Sequence, residues 1–220
     1  MTVQFNLPGD GGLLYRETAL HHSIVEPWNA FSSLAFLIPA FFFLFKLRGH
    51  YREQGFLVFF CSPLLILGGL GSTFYHAFRV SFWLLLMDVL PILVLTLGVS
   101  IYFWWGIFQK KYWILIIFMV FSGLFYGFRA VWDGQDLISA NYFLRGTLLF
   151  LPCFLYLFKT GFNGWKDFLL ALILFSFALI FRYLDNKITF PPMGTHFLWH
   201  IFCAWGAFYL GMYIIKMQEK

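Results

Sequence analysis

The chain has 220 residues, of which 61% are hydrophobic, 24% are aromatic and only 11% are charged. Soluble domains carry roughly 25% charged residues, so the composition excludes that class and predicts an integral membrane protein. The formal net charge of +5 comes from Lys and Arg residues that lie singly or in pairs between apolar runs. Such placement is typical of topology signals and indicates that nucleic acid is not a partner.

Residues 1–29 contain Pro8 and several acids and are predicted to form an extramembrane N-terminal segment. Seven apolar stretches follow, at about residues 30–47, 55–77, 81–106, 112–128, 138–158, 165–184 and 194–215. A spanning helix needs about 20 apolar residues, and backbone groups in lipid must be satisfied within their own segment. The sequence therefore predicts an all-α bundle of seven transmembrane helices over residues 30–215, with a cytoplasmic tail at 216–220.

Lys and Arg residues in alternate loops predict the orientation of this bundle. With the N-terminus outside, the inner loops and tail hold nine of these residues and the outer side holds five. Because an excess marks the cytoplasmic side, we expect an outside N-terminus and a cytoplasmic C-terminus. Arg145 lies within the fifth predicted helix, where binding an anionic headgroup, pairing with a buried acid and reaching toward the membrane surface are all open.

Ionisable groups at membrane depth are costly and therefore informative. Ser72 and His76 lie near the end of the second predicted helix, Asp88 near the start of the third, and His196 and His200 near the start of the seventh. A spacing of four residues puts both members of a pair on one helical face. The predicted topology brings all five groups to the same membrane end. Polar residues that precede the first helix lie at that end too: Glu17, Glu26 and Asn29.

Three imidazoles are what a catalytic zinc site uses, with a fourth position left for water. His76, His196 and His200 supply that number, and zinc-bound water ionises near neutral pH. Asp88 is placed to accept the proton of that water and to pass it to a leaving amine. Ser72, one turn before His76, is placed to donate a hydrogen bond to the oxyanion.

Each of these residues also has a plainer explanation. A single intramembrane histidine is commonly a hydrogen-bonded packing residue, and Asp88 can pair with Arg79 or Arg129. Ser72 belongs to a run of small residues that can form a close-packing helix face. The other members of that run are Gly68, Gly69 and Gly71.

Five stretches, taken in order, resemble the alkaline ceramidase family and its wider superfamily of seven-helix membrane hydrolases, which includes the adiponectin-type receptors. They are EPWNAFSSLAFLIP at 26–39, GLGSTFYH at 69–76, the DVLP that begins at Asp88, LDN at 184–186 and GTHFLWH at 194–200. The resemblance implies a zinc ion held by the three histidines, with Ser72 and Asp88 in the pocket. It also implies hydrolysis of the ceramide amide to a sphingoid base and a fatty acid, with Trp199 lining the pocket.

Calcium enters only through this resemblance. Animal members of the family carry an N-terminal acidic run that holds calcium near the zinc, and here Glu26 matches its last acid while Glu17 stands for another. The Asp-Trp and Glu-Pro-Asn parts of that run are missing. The short loops are more similar to bacterial relatives, so the expected substrate is ceramide or a related N-acylated membrane lipid, and the expected location is the cell membrane with the active site on the non-cytoplasmic side.

Two other functions stay open at this point. A receptor-like or membrane-organising protein could keep the zinc for structure, in which case protein atoms would fill its fourth coordination position. A haem-binding electron carrier is a further alternative, because histidines within helices can be axial ligands. The four-residue spacing of His196 and His200 argues against it, since two histidines one turn apart on one helix would not reach opposite haem faces.

Overall fold

The structure, a computed structural model, describes residues 9–218 except the side chain of Gln135, so residues 1–8 of the N-terminal segment and 219–220 of the tail lie outside it. Within this range the chain forms seven helices long and apolar enough to cross a membrane. They are α1 (Pro27–Lys46), α2 (Phe56–Phe78), α3 (Phe82–Phe108), α4 (Lys111–Val131), α5 (Gly134–Lys159), α6 (Trp165–Leu184) and α7 (His196–Gln218). The predicted all-α, seven-helix fold is confirmed; the outside N-terminus stays a prediction.

Six of the seven helices close into a ring, and α4 lies outside it. Around the ring, α1 packs on α2, α2 on α3, α3 on α5, α5 on α6, α6 on α7, and α7 on α1 again. Helix α4 contacts α3 and α5 and has no buried residue among those described. The interior of the ring is therefore the place where a buried site can form, and α4 has no part in it.

Helix α2 begins with a wide turn whose cause is a proline. Residues Phe56–Cys61 form a π-helical stretch directly before Ser62 and Pro63. Pro63 has no backbone N–H and its ring crowds the carbonyl one turn earlier. A π-turn relieves such crowding within a continuous helix. The Leu57 carbonyl accepts the Ser62 backbone amide across this wide turn and also the Ser62 hydroxyl, at 2.9 Å.

Small residues bring α2 and α3 into close contact. A Cβ atom on Gly71 would collide with the backbone carbonyl of Met87, and one on Gly68 would meet the Ile92 side chain at 2.7 Å. The Met87 carbonyl lacks its usual partner four residues later because residue 91 is a proline. Close packing at Gly71 is what brings the next residue, Ser72, near Asp88 on the facing helix. The glycine run is therefore a packing face, and Ser72 at its end lines the interior.

Residues 9–26, which we call the strap, fold back over one end of the ring. The backbone amide of Val25 donates to the Ala77 carbonyl at 2.9 Å, and that of Glu26 donates to the His76 carbonyl at 3.1 Å. Helices α1, α3, α5 and α7 begin at this end, and α2 and α6 finish there. The predicted extramembrane segment is thus, from residue 9 onward, an ordered cover over the buried end of the bundle.

We expect Gly71→Val to destabilise the protein by about 1–3 kcal/mol, because the added side chain forces α2 away from α3. Thermal unfolding in detergent measures the change. The matched control is Gly127→Val on α4, where an added Cβ meets nothing within 4 Å. Equal unfolding temperatures for the two variants would contradict close packing at Gly71.

Candidate metal centre

Three histidines from two helices meet at the strap end of the ring. His76 lies in the last turn of α2, His196 begins α7, and His200 follows one turn later. The ring centroids are 5.3 Å apart for His76 and His196, 5.0 Å for His76 and His200, and 4.6 Å for His196 and His200. All three side chains are buried, and one nitrogen from each lies within 4.8 Å of the other two. This cluster can hold a metal ion.

Neighbouring side chains orient two of the three imidazoles. The Nδ1 atom of His76 is hydrogen-bonded to the Glu26 carboxylate. The Nδ1 atom of His200 lies 2.9 Å from the Ser32 hydroxyl and 3.2 Å from that of Ser33. Metal-binding histidines characteristically have their second ring nitrogen held in this way, because the contact fixes the ring and directs the other nitrogen at the ion.

The histidine ring nitrogens that have no hydrogen-bond partner are suited to binding a cation. Within the described part of the chain, His76 Nε2 and His196 Nδ1 are buried without a hydrogen-bond partner. A buried polar atom without a partner costs about 1–3 kcal/mol, so two in one cluster indicate a missing ligand. Zinc bonds of about 2.0–2.1 Å place tetrahedral nitrogens roughly 3.4 Å apart, and the nitrogens of this cluster lie within 4.8 Å of one another.

Asp185 fixes the start of α7 and was not among the predicted site residues. Its Oδ1 accepts hydrogen bonds from the backbone amides of Thr195 at 2.7 Å and His196 at 2.8 Å, and its Oδ2 accepts from the amide of Arg16 at 3.0 Å. A carboxylate at a helix N-terminus satisfies free amides and complements the helix dipole. The LDN stretch at 184–186 therefore positions His196 and anchors the strap.

Glu26 is the centre of a buried charge network. Its carboxylate contacts His76 and the guanidinium of Arg79, which also donates to Asp10 Oδ2 at 2.6 Å from Nε. Burial raises the pKa of Glu26, but hydrogen bonding and charge from His76 and Arg79 outweigh burial and hold the pKa below its ordinary value. Burial lowers the pKa of Arg79, but the hydrogen bond to Asp10 and the charge of Glu26 outweigh it and raise the pKa. Both groups are therefore ionised.

Glu17 accepts hydrogen bonds from the α1 amides of Trp28 at 2.6 Å and Asn29 at 2.9 Å. Burial raises the pKa of Glu17, while these two amides act in the opposite direction. The oxygens of both expected calcium ligands are thus engaged with protein donors, Glu17 with amides and Glu26 with His76 and Arg79. Calcium binding by this pair stays a prediction.

Tyr15 of the strap covers the cluster from outside. Its ring stacks on His196 with centroids 4.0 Å apart and tilts against His76 at 5.2 Å. Burial raises the pKa of the Tyr15 hydroxyl, so it is a neutral hydrogen-bonding group. Tyr15 lies in a segment without helical periodicity, which is why the sequence pattern gave no signal for it.

A cavity of about 420 Å³ runs from the cluster into the ring. His196, His200 and Asp88 line its polar end, whereas His76 is not part of the wall. Along α2 the lining extends from Ser72 to Leu57, a rise of about 22 Å. The far part of the cavity is lined by apolar side chains, including Phe43, Leu57, Val99, Phe150 and Ile214.

The Ser72 hydroxyl lies between two polar neighbours. Its oxygen is 2.9 Å from the Ser33 hydroxyl oxygen, and Asp88 of the facing helix lines the same end of the cavity. Asp88 is only partly buried, and it lines the cavity wall. The structure therefore places the predicted base and the predicted hydroxyl donor side by side at the same end of the cavity as the histidines.

Trp199 also lines the cavity, as the resemblance implies. Its ring packs edge-on against Tyr142 at 5.1 Å and lies 5.3 Å from the Arg182 guanidinium carbon. The alternative ion pairs for Asp88 are not formed, since Arg79 binds Asp10 and Glu26 and no ion pair of Arg129 occurs among the described residues.

Comparison of the chain with protein-family models, curated proteins and solved structures gives no match.

We expect purified protein to contain about one zinc per chain and His200→Ala to lose it, because removing one of three ligands leaves a weak site. Elemental analysis after dialysis measures the metal. The control is His50→Ala, since His50 is an exposed residue paired with Glu53 outside the cavity. Retention of stoichiometric metal by His200→Ala would exclude His200 as a ligand.

We expect Glu26→Gln to weaken metal binding by about 10- to 100-fold, because the amide holds the His76 ring less firmly than a carboxylate does. Competition with a chelator of known affinity measures the dissociation constant. Glu53→Gln is the control, since Glu53 is an exposed residue that pairs with His50, outside the cluster. Equal affinities in the two variants would contradict an orienting role for Glu26.

Proposed function

We propose that this protein is a zinc-dependent intramembrane hydrolase, which cleaves the amide of ceramide or a related N-acylated lipid to free fatty acid and amine. One observation carries the proposal. Three buried histidines, two of which have a ring nitrogen without a hydrogen-bond partner, meet at the end of a long apolar cavity whose wall also presents Asp88. The motif resemblance to the alkaline ceramidases agrees with this combination of groups.

His76, His196 and His200 are the residues that would hold the zinc ion. When bound there, zinc supplies an acidified water and polarises a carbonyl oxygen. Three neutral imidazoles leave the double positive charge uncancelled, and nearby Glu26 compensates part of it through His76.

Asp88 is the proposed proton carrier. Hydrolysis adds water across the C–N bond: the hydroxyl oxygen bonds to the carbonyl carbon and a proton must reach the amine nitrogen. A carboxylate that faces the cavity beside the histidines can take a proton from water and return it to the leaving amine. General acid–base assistance of this kind contributes about 10²–10⁴-fold to a rate.

Ser72 is the proposed hydrogen-bond donor to the reacting carbonyl oxygen. Ser72 and Asp88 both line the polar end of the cavity. Once Asp88 has accepted a proton it no longer attracts the hydroxyl proton of Ser72, so the hydroxyl is free to turn toward negative charge on the substrate oxygen. The buried hydroxyl of Ser33, 2.9 Å from that of Ser72, holds Ser72 in place for this exchange.

The cavity fits a lipid tail below the reacting amide. Its volume is within the range of about 300–1,000 Å³ that is usual for small-molecule sites, and its far part is apolar. An acyl chain would occupy that part while its carbonyl carbon lies next to His196 and His200. With the orientation predicted from Lys and Arg counts, the reaction takes place on the non-cytoplasmic side of the cell membrane.

A receptor-like or membrane-organising role for the zinc is less well supported. A structural ion is usually closed off by a fourth protein ligand. No fourth His, Cys, Asp or Glu belongs to the cluster in the range 9–218, and two of its three histidines face an open cavity. That arrangement favours access for substrate and water.

We expect Asp88→Asn to keep its zinc and to lose about 10²–10⁴-fold in lipid-amide turnover, because the amide cannot carry the proton. The assay incubates detergent-purified protein with a panel of N-acylated lipids, with and without a chelator, and follows released fatty acid by mass spectrometry. Asp136→Asn is the control, since Asp136 is an exposed acid at the start of α5. Unchanged turnover in Asp88→Asn would exclude Asp88 as the proton carrier.

A further inference from the structure

Two arginines lie in the wall of the cavity, close to its polar end. Arg145 comes from α5 and Arg182 from α6, and both line the cavity. Their guanidinium carbons lie 5.4 Å and 4.0 Å from the centre of the Tyr142 ring, so both are held against the same aromatic side chain. Arg182 is only 6% exposed and also faces Trp199, the neighbour of His200.

No carboxylate pairs with either arginine. Over residues 9–218 neither Arg145 nor Arg182 takes part in an ion pair, and Arg182 Nε is buried without a hydrogen-bond partner. Asp88 and Tyr15 line the same cavity, but neither Asp88 nor any other described carboxylate forms an ion pair with Arg182. Among the described residues, neither guanidinium is therefore neutralised by direct contact with a carboxylate.

Packing alone does not account for two such arginines. Charged groups at membrane depth are costly and ordinarily face a partner, a pathway or a ligand. Contact with an aromatic face offsets only part of the cost of desolvating a guanidinium. A bidentate hydrogen bond to a carboxylate or phosphate is the interaction for which the planar guanidinium is best suited.

The position of Arg182 suits a headgroup. A cleft of about 260 Å³ between α5 and α6 shares Tyr142 and Arg182 with the main cavity. Helix α5 packs less closely on α6 than on α3, so the contact between α5 and α6 is the looser of the two. A group held by Arg182 thus lies between the metal centre and the space between the two helices, on the side away from the apolar part of the cavity.

We propose that the cavity binds N-acylated lipids whose amine portion carries an anionic group, a carboxylate or a phosphate, on Arg145 and Arg182. This inference rests on the proposed amide hydrolysis and names its substrate class. The acyl chain fills the apolar part, the amide lies at the histidines, and the anion on the amine side contacts the two guanidinium groups. The amine product then leaves as an amino acid or as the phosphate ester of an amino alcohol.

The test compares three substrates with one acyl chain: N-oleoyl glycine, N-oleoyl ethanolamine phosphate and the neutral N-oleoyl ethanolamine. We expect kcat/KM to be about 10- to 100-fold higher for at least one anionic substrate than for the neutral one, as charge-assisted hydrogen bonds of this kind provide. A higher rate with the glycine derivative identifies a carboxylate site, and one with the phosphate derivative a phosphate site. Equal or higher kcat/KM for the neutral substrate overturns the proposal.

Variants test whether Arg145 and Arg182 cause the preference for anionic substrates. We expect Arg145→Gln and Arg182→Gln to remove most of the anionic preference, and Arg145→Lys to restore part of it because it keeps the charge. Arg129→Gln is the matched control, since Arg129 is an exposed residue at the end of α4, outside the ring. A preference that survives both glutamine variants would overturn the assignment. If Arg182→Gln does not fold, Arg145→Gln decides.

Binding without turnover separates this inference from the proposed function. Full-length Asp88→Asn protein is titrated with N-oleoyl glycine and with N-oleoyl ethanolamine, and tryptophan fluorescence reports the dissociation constants. Tighter binding of the anionic lipid that is lost in Asp88→Asn with Arg145→Gln supports the anionic site even if no amide is hydrolysed. Hydrolysis with equal affinities and equal rates for both lipids supports the hydrolase and overturns the anionic site.

Discussion

The contacts of the Glu26 carboxylate are the interaction on which the site depends. One oxygen orients the ring of His76 and the other pairs with Arg79, so a single buried acid joins the metal cluster to the end of α2. Arg79 in turn holds Asp10 and the Leu13 carbonyl of the strap. Removing the strap would leave a buried guanidinium short of partners, which is strongly destabilising in a low-dielectric interior. The position of the strap and the orientation of the His76 ring therefore depend on the same carboxylate, that of Glu26.

Carboxylates from distant parts of the chain also determine where the helices that carry the site begin. Asp185 binds the first amides of α7, next to His196, and Glu17 binds the first amides of α1, one turn before Ser32. Each acid complements the positive end of a helix: α7 carries His196 and His200, and the next turn of α1 contacts His200 through Ser32 and Ser33. The acids near the three histidines thus have structural roles that a count of acidic residues does not reveal.

Apolar runs and the four-residue spacing of histidines were sufficient to predict seven helices and the meeting of His76 with His196 and His200. Which helices pack side by side could not be predicted, because each run is apolar over most of its surface; α4 is about as apolar as the ring helices and yet lies outside the ring. Tyr15 and Asp185 were missed because loops have no periodicity. Ser33 carried a weak signal, since a hydroxyl one turn after Asn29 shares its helical face.

Aromatic rings seated on glycines shape the apolar part of the cavity. A Cβ on Gly211 of α7 would collide with the ring of Phe43 of α1, and one on Gly146 of α5 would collide with that of Phe175. Small residues at such places let neighbouring helices and rings approach closely, which is how membrane helices pack without a hydrophobic driving force. Phe43 is fully buried and lines the end of the cavity remote from the histidines. In the proposed reaction this ring, seated against Gly211, is one of the side chains that limit how far an acyl chain can extend while its amide remains at the histidines.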